Sequence, residues 1–94
     1  MNNPHPGTVL RQQFLKPLDL TEYLLAQHIK ISDRQAWRIV NGMSPMTAKV
    51  ALRLSKFLKV PAEYWLELQN KYDLEVTEST YPDLLNKIEP HPKV

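Results

Sequence analysis

Between Leu20 and Gly42 the chain reads LTEYLLAQHIKISDRQAWRIVNG, and its apolar positions recur every three or four residues rather than every two. That is the period of helices. Leu24, Leu25, Ala26 and Ile29 predict the buried stripe of a helix that opens at Thr21, whose hydroxyl can accept a backbone N–H, and ends at Lys30. Ala36, Ile39 and Val40 predict a second helix opening at Ser32, with Gln35 three residues on as the partner of a capping box and Asn41-Gly42 as the stop. Asp33, Arg34, Gln35 and Arg38 then face outward.

Two short amphipathic helices joined by a tight turn have helix-turn-helix geometry, in which the second helix enters the major groove and its first residues meet base edges. Arg34 and Arg38 can pair bidentately with guanine, Gln35 with adenine, and Asp33 can accept from cytosine N4. Each such pair is worth about 1–3 kcal/mol of discrimination. Polar residues are also what any solvated helix face carries, and Gln35 can be occupied by its own cap.

Before this unit, residues 1–6 hold two prolines and no periodicity, which predicts an extended arm. Val9, Leu10, Phe14 and Leu15 predict a first helix from Gly7 or Thr8 to Lys16, ended by Pro17, with Arg11 outward as a possible phosphate contact. After it, Thr47 should cap a helix over Ala48 to Leu58 that buries Ala51, Leu54, Phe57 and Leu58, broadened by Val50 and Leu52. Ser44, Thr47 and Lys49 sit where the next phosphates would lie. Pro61 should open a last helix reaching Glu78, whose Tyr64, Trp65, Leu68, Tyr72 and Val76, with Leu66 and Leu74, give more apolar surface than a small domain needs.

Part of that surface is expected to meet a second copy, through Tyr72, Leu74 and Val76, while Trp65 and Leu68 suit the core equally well. A two-fold dimer would set its recognition helices about 34 Å apart. Trp37, beside the buried stripe, is expected to pack at the core edge, with contact to a partner subunit or to DNA sugar and base methyl groups as alternatives. In the tail 80–94, Tyr81 to Ile88 can form a short helix with Leu84, Leu85 and Ile88 on one face, stopped by Pro90 and Pro92. The domain organisation expected is an arm (1–6), a helical DNA-binding domain with a dimerisation helix (7–79) and the tail (80–94).

Composition narrows the function. With 94 residues, 43% hydrophobic, the chain suits one domain with a small core. It has no cysteine, so disulfides and thiolate metal sites are excluded and a cytoplasmic protein is expected. No apolar run approaches the roughly 18 residues of a membrane span, and the start MNNPHPG is not a signal peptide. His5, His28 and His91 are scattered, which gives no metal site; no nucleophile motif or glycine-rich loop occurs. An enzyme, catalytic residues and a cofactor are therefore not expected.

The net charge of +2 hides a division. Residues 1–59 carry nine basic and three acidic side chains, and residues 60–94 carry three basic and seven acidic. The basic head suits phosphate, and the acidic remainder suits a basic protein partner.

Several separate motifs in order, the opening HPG, RIVNG, ALRLSKFL and PAEYWLELQ, give the span from His5 to Leu74 a pattern that resembles the HigA antitoxins, a branch of the Xre-type helix-turn-helix proteins. The resemblance implies an all-α, five-helix, lambda-repressor-like fold with a C-terminal tail. It also implies a homodimer that binds double-stranded operator DNA, represses its own operon and neutralises a HigB-type, mRNA-cleaving toxin. A stand-alone regulator, or a toxin binder that has lost DNA binding, are the alternatives. Lys30 stands where the family's turn usually has glycine; a left-handed lysine there costs on the order of 1 kcal/mol. The recognition helix reads Ser32-Asp33-Arg34-Gln35 with Trp37 beyond, where the family usually has S-R-Q-T and a small residue, so relatives do not supply its operator sequence.

Overall fold

The computed structural model describes residues 2–94, and all its regular elements are helices. In chain order these are α1 (Pro6–Leu10), running straight into a π-helical turn at Arg11–Leu15, then α2 (Glu22–Ile29), α3 (Asp33–Val40), α4 (Ala48–Leu58), α5 (Ala62–Thr80) and α6 (Pro82–Asn86). The π-turn is closed by the Lys16 N–H donating to the Arg11 carbonyl, 3.0 Å. The chain then leaves the helix through Pro17 and a left-handed Asp19 (φ 54°).

The core gathers Leu10, Leu25, Val40, Val50 and Leu54 with Trp65 of α5, which is 0% exposed. Phe14 leans on its indole at 5.3 Å between ring centres. Buried apolar side chains from five helices thus share one core, which is why short helices that would not persist alone hold together. His28 adds a stacked contact to Phe57, 4.6 Å between centres, joining α2 to α4.

Five expectations are corrected. Leu24 is exposed, because the buried face of α2 is formed by Leu25, Ala26 and Ile29. Leu52 likewise points to solvent, on the far side of α4 from the buried Val50, Ala51 and Leu54. Pro61 is the N-cap of α5 rather than its first residue. Trp37, expected at the core edge, is 49% exposed.

The fifth concerns the start of the chain, of which Met1 lies outside the described residues. Asn2 and Asn3 donate hydrogen bonds to the Glu75 carboxylate on α5, His5 and Pro6 are buried, and α1 already begins at Pro6. The extended segment is strapped to α5, and its last residue, Pro6, belongs to α1.

The extents are 52 × 23 × 22 Å with a radius of gyration of 16.1 Å, against about 12 Å for a compact chain of this length. The difference comes from the far half of α5 and from α6, which has no buried residue.

Candidate nucleic-acid interface

The position of α3 is fixed at both ends by groups that lie far away in sequence. At its start, the Ser32 hydroxyl accepts the Gln35 backbone N–H at 3.1 Å, as Thr21 does for Leu24 at the start of α2. The turn between the helices places Lys30 in the left-handed region (φ 63°, ψ 45°), where its N–H and that of Ile31 both close onto the Ala26 carbonyl. Arg53 of α4 reaches this turn: its Nη1 donates to the carbonyls of Ile29 (2.9 Å) and Lys30 (3.1 Å). Two charge-assisted bonds to otherwise free helix-end carbonyls outweigh the roughly 1 kcal/mol cost of a left-handed lysine.

At the other end, Gly7 lets α1 press against the end of α3; a Cβ on it would stand 1.8 Å from the Ile39 carbonyl oxygen. The preceding His5 caps α1 through Nδ1, which accepts the Gly7 N–H at 2.9 Å, and its ring meets Tyr72 edge-on at 5.1 Å. The HPG motif is therefore a cap, a rigid first helical residue and a gap for a neighbouring carbonyl. Gly42 (φ 73°) turns the chain out of α3, and Gln69 of α5 accepts the Met46 N–H at 2.7 Å while donating to Asp73 at 2.9 Å.

What α3 presents follows from these restraints. Ala36, Ile39 and Val40 are buried, Asp33, Arg34, Trp37 and Asn41 are exposed, and Gln35 and Arg38 are half-buried. Asp33 sits in the first turn, where a negative charge suits the helix dipole. Arg34 is directed at solvent. Arg38 folds back on the turn that follows, its Nε donating to Ser44 Oγ (2.9 Å) and its Nη2 to the Met43 carbonyl (3.2 Å). These bonds use two of its five N–H donors, so three stay available on a guanidinium whose position is already set.

Thr47 is spent as the N-cap of α4, its hydroxyl 3.4 Å from the Val50 nitrogen, and Lys49 lies exposed in the first turn beyond it. Ser32, Asp33, Arg34, Gln35 and Arg38 are thus brought onto one short helix and its cap, and Thr47 and Lys49 onto the neighbouring helix start.

This arrangement has counterparts among known proteins. No family model matches the chain. Virulence-associated protein I of Dichelobacter nodosus is 38% identical over 74 residues, 79% of this chain and 68% of that protein. Antitoxin HigA-1 of Vibrio cholerae is 30% identical over 84 residues, covering 89% of this chain and 79% of the relative. The solved structure of Pseudomonas aeruginosa antitoxin HigA with higBA promoter superposes with a TM-score of 0.90 at 30% identity, over 95% of this chain and 98% of that one.

The chain belongs to the HigA antitoxin family. Three features of this HigA-family chain were not legible as site residues. Arg53, counted with the basic residues facing phosphate, is a clamp on the helix-turn-helix turn. Gln69 and His5 hold the loop after α3 from α5 and from the start of the chain, Gln69 by accepting the Met46 N–H and His5 by lying beside Gly42. A polar residue within an apolar helix repeat, as Gln69 is between Leu68 and Tyr72, was the available signal for one of them.

One imidazole and one carboxylate on this strap are shifted from their ordinary pKa values. Burial lowers the His5 pKa from its ordinary 6.5, opposed by the Ser44 backbone bond and the charge of Asp73. The hydrogen bond from the Asn2 backbone, followed by those of Asn3, lowers that of Glu75. Among the described residues no helix is long and apolar enough to cross a membrane.

Of the three residues expected at a dimer interface, Tyr72 is half-buried against His5, Val76 is half-buried and Leu74 is 63% exposed.

Proposed function

We propose that this chain is a non-enzymatic, cytoplasmic antitoxin of a type II toxin-antitoxin module, which binds its own operator as a homodimer and neutralises a HigB-type, mRNA-cleaving toxin. The observation that carries the DNA-binding half is the presentation of α3. It is pinned by Gly7 at one end and Arg53 at the other, and it holds Arg34 free and Arg38 pre-set on its outer side. A helix that must read base edges needs such fixity, because a bidentate pair is lost when its donor moves by about 1 Å.

In this reading Arg34 and Arg38 contact guanine, Gln35 adenine and Asp33 cytosine, while Ser32, Thr47 and Lys49 hold the adjoining phosphates. The half-buried Val76 and the exposed Leu74, with Tyr72 behind them, supply the contact between copies. The acidic C-terminal third supplies the surface for a basic ribonuclease. The likeness to a HigA solved with its promoter supports the first assignment, and the kinship with HigA-1 supports the toxin.

A salt titration tests it. The chain is mixed with the duplex upstream of its own reading frame, and log affinity should fall linearly and steeply with log salt concentration. Arg34→Ala should reduce discrimination against one base pair by about 1–3 kcal/mol without unfolding the protein. Binding that is weak and indifferent to sequence at every salt concentration refutes the operator assignment. The toxin assignment is refuted separately, if co-expression with the neighbouring small ribonuclease gene does not restore growth.

A further inference from the structure

The one aromatic ring on α3 belongs to Trp37, and neither the caps nor the clamps of that helix use it. Its indole is 49% exposed, whereas the other tryptophan, Trp65, is sealed. The neighbours one turn away on the same side, Asp33, Arg34 and Asn41, are exposed and polar. Asn41 uses its side-chain amide on the Trp37 carbonyl at 2.8 Å, not on the ring. The aromatic contacts among the described residues join His5, Phe14, His28, Phe57, Tyr64, Trp65 and Tyr72, not Trp37. A large apolar side chain with half of its surface in solvent thus stands on the outer part of the helix, one turn from Asp33 and Arg34.

We propose that Trp37 is a specificity residue that packs its indole on the 5-methyl group of a thymine in the major groove, next to the base pair contacted by Arg34. This rests on the reading of α3 as the DNA-contacting helix. Three considerations select thymine. The methyl is the one apolar group that a base edge presents in that groove. An indole has one donor and no acceptor, so it cannot form the paired hydrogen bonds that distinguish guanine or adenine. The carboxylate of Asp33, one turn earlier on the same side, makes a phosphate an unfavourable neighbour for this edge of the helix. Trp37 lies about 6 Å along the axis from Asp33, so its base is a step removed from those met by the first turn.

The test uses the full chain and the duplex upstream of its reading frame, prepared once with thymine and once with deoxyuridine throughout. Wild type should bind the thymine duplex about tenfold more tightly than the uracil duplex, a preference that Trp37→Ala abolishes and Trp37→Phe largely keeps. Acrylamide quenching is the second readout. Because Trp65 is sealed, the quenchable emission belongs to Trp37, which the Trp37→Phe variant verifies by losing it. Saturating DNA should remove that quenching.

An unchanged thymine preference in Trp37→Ala overturns the proposal, as does an indole that acrylamide still reaches in the saturated complex. So does an indole already shielded in DNA-free protein at concentrations where two copies associate, which would assign Trp37 to the interface between copies. In each of these cases wild type still binds the duplex; a wild type that ignores it even at low salt refutes the operator reading as well.

Discussion

Around α3, side chains hold each turn, two of them from other helices, whereas the far half of α5 and α6 are held almost entirely by their own backbone. The turn before α3 is clamped by Arg53, the turn after it by Arg38, and the loop leading to α4 by Gln69. Beyond the Glu75 strap, by contrast, every residue from Thr77 to Val94 is exposed, and Tyr81, Leu84, Leu85 and Ile88 put apolar surface in water. The first region has its partners within the chain and gains rigidity from them. The second has the composition of a surface that is completed by something else. Fixity belongs where a rigid duplex must be met at defined positions, and latitude where a protein partner supplies the packing.

The sharpest way to break this contrast is at Gly7. A methyl group 1.8 Å from the Ile39 carbonyl cannot be accommodated without moving α1 off α3, since the obstacle is backbone. Gly7→Ala should cost on the order of 3 kcal/mol, which lowers Tm by roughly 12–24 °C in a domain of this size, as followed by circular dichroism. A variant that melts within a degree or two of wild type would mean that the two helices are not in fixed contact.

Acid should loosen the strap next. Burial disfavours the charged form of His5 in the fold, so the unfolded chain takes up more protons below its ordinary pKa of 6.5, and stability falls as the pH drops through that value. The Glu75 bonds act in the same direction at lower pH: their contribution is present above its ordinary 4.5 and fades as the carboxylate is protonated. Protonation also removes the Nδ1 lone pair that caps α1. Between about pH 7.5 and about pH 5, wild type should lose several degrees of Tm more than His5→Asn, whose amide oxygen can keep the cap without titrating. Parallel curves for the two proteins would show that His5 carries no such load.

The smallest effect should come from the tail. Removing residues 81–94 takes away exposed side chains and a helix with no buried residue. At concentrations where the chain is monomeric, Tm should move by no more than the shift expected of about 0.5 kcal/mol. Raising the protein concentration sharpens the comparison: a Tm that climbs for the full chain and stays level for the shortened one would place an interface between copies on the tail. A large drop in the monomer would erase the distinction between the two regions.

The helices that buried a full stripe were plain in the chain because local rules fix them. Thr21, Ser32 and Thr47 each cap as their hydroxyls and positions require, and Ala36, Ile39 and Val40 lie on one side because the helical period puts them there. The errors came where a neighbour decides. Leu24 and Leu52 fit their stripes by spacing, yet no helix packs over them, and Trp37 beside its stripe is left in solvent for the same reason. Asn2, Asn3 and His5 read only as part of an extended arm, with no sign of its tether, because Glu75 and Tyr72, which hold them, lie about seventy residues away.

What the linear order of residues determined alone was the set of helices, their caps, the basic head against the acidic remainder, and a motif set specific enough to point to the family. Each depends on neighbours within about a turn, or on sums over a segment. Only the tertiary structure decided what Arg53, Arg38, Gln69 and Gly7 do, since each acts on a carbonyl, an amide or a hydroxyl of another element. It also decided that Lys30 is left-handed, which a lysine tolerates because Arg53 arrives from α4 to satisfy the carbonyls that the turn exposes. A cost incurred locally was met by a group more than twenty residues away, and spacing along the chain carries no record of that.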